Sequence, residues 1–256
     1  MLLDQLKWPD LEGLSDRVFI VPLAAIEQHG PHLPLATDAL IAAEIARRVE
    51  AAAPERIVLA PVQWLGHSPH HAHFGCVSLN LRPYMDMVKG MCRSLVGMGA
   101  RRIFLLNSHG GNDVPARAAL SELKTEDPGR RDVLIACATY WSLAADAMSK
   151  IRSSPPGGMG HACEMETSIL LAIRPDLVDL SRAADDGTFT ESGYHRLDML
   201  RPQPYYMARN FHEISKTGTL GMPSHATAEK GGQFLDAASG SVLRFVLDFA
   251  AWPAGA

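Results

Sequence analysis

Short apolar runs recur along this chain with longer, mixed stretches between them. Val18–Leu23, 57–61, 103–106 and 133–139 are apolar runs of β-favouring residues, and runs of that length and kind predict strands buried on both faces. Residues 39–53, 82–98, 114–123, 164–173 and 232–250 carry apolar side chains at helical spacing instead. Strands that alternate with helices in this way predict βαβ units and a mostly parallel sheet covered on both faces. No internal repeat or low-complexity tract interrupts the pattern. Ser153-Ser154-Pro155-Pro156-Gly157-Gly158-Met159-Gly160 is dense in chain breakers and reads as a loop that could close over a site. Residues 184–215 are polar and weakly periodic, which predicts a surface excursion or an oligomer contact.

Polar residues stand where these patterns would not put them. Glu27-Gln28-His29-Gly30-Pro31-His32, with Asp38 close behind, follows the first apolar run directly. Carboxylates and imidazoles at the exit of a buried strand need partners, because a desolvated polar group is costly unless paired or metal-bound. Asn107-Ser108-His109-Gly110-Gly111-Asn112 follows the third run, and His161-Ala162-Cys163-Glu164-Met165-Glu166 opens a predicted helix. Ligands of open α/β sheets bind beyond the carboxyl ends of the strands, so these clusters are expected to meet in one site.

The donor set of imidazole and carboxylate suits zinc, manganese or iron better than calcium or a thiolate-held structural zinc. A carboxylate such as Asp38 can bridge two cations, and a pair of metals about 3.5–4 Å apart activates water for attack on a carbonyl or phosphoryl centre. His161 is then placed to move a proton beside the metals. Glu164 and Glu166 are two residues apart on a helix and diverge by about 200°, so only one of them can face the metals. The other histidines weigh towards ordinary roles: His32, His67, His70, His73, His195, His212 and His225 as structural or supporting residues, with His71 evenly balanced.

Composition narrows the classes. The chain has 256 residues, 47% of them hydrophobic, enough for one large α/β domain, expected to span 1–256. A net charge of −4 argues against a nucleic-acid or anionic-membrane partner. No apolar stretch approaches the roughly 18 residues that a membrane span needs, and the first residues lack a secretory pattern, so a cytoplasmic location is expected. Cys76, Cys92, Cys137 and Cys163 form no CxxC pair and read as reduced, with Cys163 a packing residue. Neither a G-x-G-x-x-G after the first strand nor a P-loop is present, which argues against a nucleotide enzyme.

At these residues the chain resembles the creatininase (creatinine amidohydrolase) family. The matching stretches are Glu27–Pro34 with Asp38, 107–112, 138–141, 161–168 and 221–231, in family order over most of the chain. The resemblance implies a three-layer αβα sandwich, two divalent metal ions (zinc first, manganese or iron as alternatives), a small-molecule substrate and a homo-oligomer, often a hexamer. By the same resemblance Glu27 and His109 would hold one metal, His29 the other, and Asp38 would bridge them. His161 falls on the family histidine beside the substrate. Glu166, His32, Ser68, His71, Gly110, Gly111 and Tyr140 would support the ligands or touch substrate.

Departures from the family pattern set the chain apart from creatininase proper. The family's creatininases carry Tyr-Glu where this chain has Gly110-Gly111, and that Glu completes the second metal. Its replacement is expected from Glu164. A Trp-Asp pair before the active-site histidine is here Gly157-Gly158, and the Phe-Pro-Gly-Thr stretch is altered to Phe74-Gly75-Cys76-Val77. The expected activity is therefore an amidohydrolase acting through a metal-bridging hydroxide on a C–N bond of a small cyclic amide or formamide. Hydrolysis of an oxidised inositol ring, cleavage of a small precursor peptide and a non-catalytic metal-binding scaffold stand as alternatives.

Overall fold

The structure is a computed structural model and describes residues 1–129, 131–187, 194–195, 197–201 and 203–253. In chain order the elements are β1 (Val18–Leu23), β2 (Ile26–Glu27), α1 (Thr37–Ala52), β3 (Ile57–Leu59), β4 (Cys76–Val77), α2 (Leu81–Gly97), β5 (Arg102–Asn107), α3 (Asp113–Glu126), β6 (Leu134–Thr139), α4 (Tyr140–Leu143), α5 (Ala145–Ser149), β7 (Met159–His161), α6 (Glu164–Ile173), β8 (Leu220–Gly221) and α7 (Ala228–Ala251). The predicted strands and helices are all present, with ends shifted by a few residues.

β3, β1, β5 and β6 pair in that order, each neighbour parallel. Side chains alternate across a strand, and here both faces are apolar. Val18, Ile20, Phe104 and Leu106 pack into one core with residues of α1, α6 and α7. Phe19, Val21, Leu23, Ile103 and Leu105 pack into another with residues of α2 and α3. This is the three-layer αβα sandwich, and it explains why β1 reads as an unbroken apolar run.

The register brings the carboxyl ends of the strands level. Leu23 at the end of β1 pairs with Asn107 at the end of β5, which pairs with Thr139 at the end of β6. The chain steps outward from β1 to β3 on one side and from β5 to β6 on the other. A crevice therefore opens beyond the ends of β1 and β5, at the switch point of the sheet.

α7 starts before the predicted boundary because Thr227 caps it, its hydroxyl accepting the Lys230 N–H at 3.2 Å. Gly231 and Gly232 weaken helix propensity, but a side chain at 231 would run into the Ser168 carbonyl of α6. The glycine is what lets the two helices approach.

The glycine-rich loop before β7 is held by hydrogen bonds to two carboxylates. Glu164 accepts the backbone N–H groups of Ser153 and Ser154 at 2.9 Å each, and Asp198 accepts the Gly157 N–H at 2.8 Å and an Arg152 guanidinium N–H at 2.7 Å. The stretch 184–215, expected as a surface excursion, does more than cover surface: Met199 hydrogen-bonds to the Met159 carbonyl at 2.7 Å, and Phe211 reaches the crevice. The part of that expectation at 188–193, 196 and 202 lies outside the described residues.

Candidate metal centre

Glu27 ends β2, a strand held against β4 through the pairs Ile26–Val77 and Glu27–Cys76. The altered Phe74–Val77 stretch thus positions Glu27 from behind. His29 follows two residues on, Asp38 lies in the first turn of α1, and His109 sits just past β5. His161 closes β7. The next residue, Ala162, adopts φ 49°, a left-handed conformation that costs a non-glycine residue roughly 1–2 kcal/mol. That turn swings the chain into α6 and places Glu166 at the third helical position, where its carboxylate caps the Cys163 N–H at 3.4 Å.

All of these groups are buried: Glu27 is 1% exposed, His29 0%, Asp38 2%, His109 3% and Glu166 4%. Four sets bring one donor atom from each residue within 4.8 Å of one another: Glu27–His29–Asp38, Glu27–His70–His109, Glu27–His71–His161 and His29–His161–Glu166.

Hydrogen bonds fix how the imidazoles face. His29 Nδ1 lies 3.1 Å from the Glu27 carbonyl, His109 Nε2 3.1 Å from the His67 carbonyl, and His161 Nε2 2.7 Å from the Gln28 carbonyl. A carbonyl only accepts, so each of these nitrogens donates its N–H. The opposite nitrogens point at carboxylates: His29 Nε2 to Asp38 at 3.2 Å, His109 Nδ1 to Glu27 at 3.1 Å and to Asp38 at 3.2 Å, and His161 Nδ1 to Glu27 at 3.8 Å. In the neutral imidazoles lone pairs thus face lone pairs. Among the described residues, both Glu27 oxygens and Asp38 Oδ2 are buried without a well-directed hydrogen bond. Something positive belongs at the centre, and an imidazole anchored on one nitrogen with the other aimed inward is the usual arrangement of a metal ligand.

Titration carries the same sign. Burial opposes a charge on His29, yet Asp38 beside it raises its pKa to about 9. Burial also opposes a charge on His109, and Glu27 and Asp38 drive it well above the usual range. Burial would raise Asp38, but His29 and His109 hold its carboxyl well below the ordinary carboxylate value. Without a cation, protons on the imidazoles supply the positive charge that the carboxylates demand.

Glu164, expected to replace the missing carboxylate, is not brought to this cluster. Besides the Ser153 and Ser154 N–H groups it accepts the Lys230 ammonium at 2.7 Å. As the divergence along the helix requires, Glu166 faces the other way, towards His29 and His161, where burial raises its carboxyl to about 7 against the pull of His29.

Other expected residues take supporting places. Gln28 Oε1 accepts the Gly30 N–H at 2.8 Å, so its amide nitrogen is the donor to His71 Nδ1 at 2.8 Å. His71 therefore carries its hydrogen on Nε2, which lies 3.2 Å from Glu27 Oε1 without the direction of a hydrogen bond. Ser68 Oγ lies 3.1 Å from His109 Nε2, and His32 bonds Thr167 at 2.9 Å; both are buried behind the cluster. Tyr140, expected near substrate, is buried with its hydroxyl pKa raised by that burial. Its neighbour Trp141 faces the crevice instead. Gly110 and Gly111 line it, and a side chain at 111 would collide with the His67 carbonyl and the His109 ring.

The crevice is a cavity of about 190 Å³ whose walls add Trp141, Met199, Phe211 and Leu220 to the polar cluster. Sequence periodicity did not single out these walls or His70, because they come from irregular chain and from elements of two to four residues. A larger cleft of about 450 Å³ lies among α2, α3 and β6 and, among the described residues, shares no lining residue with the cluster.

The chain matches the Creatininase family, described as creatinine amidohydrolase, over residues 4–246. It is 31% identical over 254 residues to creatinine amidohydrolase of Pseudomonas putida, covering 91% of this chain and 90% of that protein. It is equally 31% identical, over 245 residues, to mycofactocin precursor peptide peptidase of Mycobacterium tuberculosis (strain CDC 1551 / Oshkosh), covering 92% and 87%. The solved structure named Creatininase Mn superposes with a TM-score of 0.82 at 26% identity, covering 96% of this chain and 97% of that one. The chain belongs to the creatininase family of hydrolases.

Proposed function

We propose that this chain hydrolyses a C–N bond of a small amide-type substrate with two divalent cations, and that creatinine is not its substrate. One cation would be held by Glu27 and His109, the other by His29 and Glu166, with Asp38 between them. The observation that carries this reading is the set of imidazoles anchored on backbone carbonyls with their free nitrogens turned to unpartnered buried carboxylates. Zinc suits this mixed donor set, with manganese or iron as alternatives. Divalent cations bound there supply Lewis-acid polarisation of a carbonyl and of water.

The chain's own groups do the rest. His161 is pinned through Nε2, and burial with His29 beside it pushes its pKa well below the usual value. It is neutral at pH 7, so Nδ1 can take a proton and return it to a departing nitrogen. Phe211 packs on His161 and His71, with ring centroids 4.7 and 3.9 Å away, and shields them from water. Among the described residues the lining holds no Arg or Lys, which gives a phosphorylated substrate no partner there.

A cavity of this size admits a small molecule or the end of a chain. The open space over Gly110 supports a second reading, cleavage near the terminus of a short peptide. The working form on this account is a cytoplasmic homo-oligomer. A screen of cyclic amides, formamides, oxidised cyclitols and short peptides against zinc- and manganese-loaded protein separates the chemistries. Release of an amine from an amide supports the first reading, release of a terminal fragment from a peptide supports the second, and no turnover with two metals bound contradicts both.

A further inference from the structure

We propose that His70 is a further metal ligand of this site, joining Glu27 and His109 around one of the two cations. The inference rests on the two-cation reading above and extends it to a residue that sequence patterning assigns to an ordinary structural role.

His70 lies in the short turn Pro69–His71. A ring nitrogen of His70 comes within 4.8 Å of the donor atoms of Glu27 and His109. The ring is held in place: it stacks on His109 at 5.8 Å with an interplanar angle of 12°, and it packs on His71 at 4.4 Å and Phe211 at 5.8 Å. It fills the space over Gly111, where a Cβ would lie 2.6 Å from its Cε1. The glycine and the His70 ring therefore depend on one another: a side chain at 111 could enter only by displacing the imidazole.

The neighbouring histidines show why His70 differs. His67 donates from Nδ1 to the Leu79 carbonyl at 3.0 Å, and His71 spends its lone pair on the Gln28 amide. Among the described residues neither ring nitrogen of His70 has a hydrogen-bond partner. It is the imidazole of this turn with a lone pair free beside the buried carboxylates. A second imidazole on that cation shifts its preference towards zinc, nickel or ferrous iron and away from manganese or magnesium.

Cobalt(II) titration of the full chain tests this, read by visible d–d absorption and by bound-metal analysis. His70→Ala and His70→Phe should each weaken one of two cobalt sites by at least about tenfold and alter its absorption bands, leaving the other site as in the wild type. The phenylalanine variant keeps the stacked ring and removes only the nitrogen, and circular dichroism verifies that it folds. Two cobalt ions bound by His70→Phe with wild-type affinity and spectrum would overturn the proposal, even if a changed KM made His70 a substrate wall. A wild-type chain that binds fewer than two ions would instead overturn the two-cation reading itself.

Discussion

Glu164 and Glu166 are two residues apart and do opposite work. Glu166 turns inward to His29 and His161, and Glu164 turns outward to Lys230. Glu166→Gln should remove one of two bound metals and lower turnover at least about a hundredfold, whereas Glu164→Gln should keep both metals. Metal content by mass spectrometry on the two variants checks the pair. Which face of α6 meets the sheet depends on α7, far away in sequence, so the spacing could say that one glutamate faces the site but not which. At Gly111 the prediction is steric. Gly111→Ala must displace the His109 ring or the His67 carbonyl, so its zinc affinity should fall even though no donor is lost. Protons now held by His29 and His109 must leave when a cation enters. With the His29 pKa raised to about 9, loading at pH 7 should release protons, and affinity should climb as pH rises towards 9. Calorimetric titration in buffers of different ionisation enthalpy measures that release.

At the scale of elements, the outward carboxylate is a clamp. Glu164 has a fully buried side chain that ties the 153–154 backbone and α7 to the start of α6. Removing the cation alone leaves that charge on the Ser153 and Ser154 donors, which should cost less than the roughly 3–5 kcal/mol of a wholly unpaired buried charge; Lys230→Met should lower Tm. Burial would raise the Glu164 pKa, but Lys230 and the Ser153 and Ser154 donors outweigh it and hold it at about 2. A depressed carboxylate stabilises the fold above its unfolded pKa of about 4.3 and ceases to do so as pH falls through the folded value. The Tm advantage of wild type over Glu164→Gln should thus be full at pH 7 and shrink between about pH 5 and pH 2, a difference that thermal melts across that range record. Helices and strands were legible from periodicity because packing on two faces dictates it. For the loop before β7 the chain breakers say only that the chain turns. They do not reveal that Glu164 and Asp198 hold its backbone.

For the whole molecule, the sheet decides where chemistry can happen. Level strand ends on β1 and β5 gather residues separated by more than a hundred positions into one buried pocket, and the apolar β1 that predicts the sheet also predicts where Glu27 and His29 emerge. The polar half of the site was readable for that reason. Its apolar half was not: Trp141, Met199, Phe211 and Leu220 arrive from elements of two to four residues and from irregular chain, too short for any periodicity to encode. Since the carboxylates converge only in the folded chain, cations should stabilise it. Zinc at a hundred times its dissociation constant should add about 2.7 kcal/mol per site to unfolding free energy, visible as a rise in Tm that Glu27→Gln reduces. The most direct test of the central claim is anomalous diffraction at the zinc edge from crystals of the zinc-loaded protein. The account predicts two peaks, one bounded by Glu27, Asp38 and His109 and one by His29, Asp38 and Glu166. A single peak, or none within coordinating distance of these side chains, would contradict it.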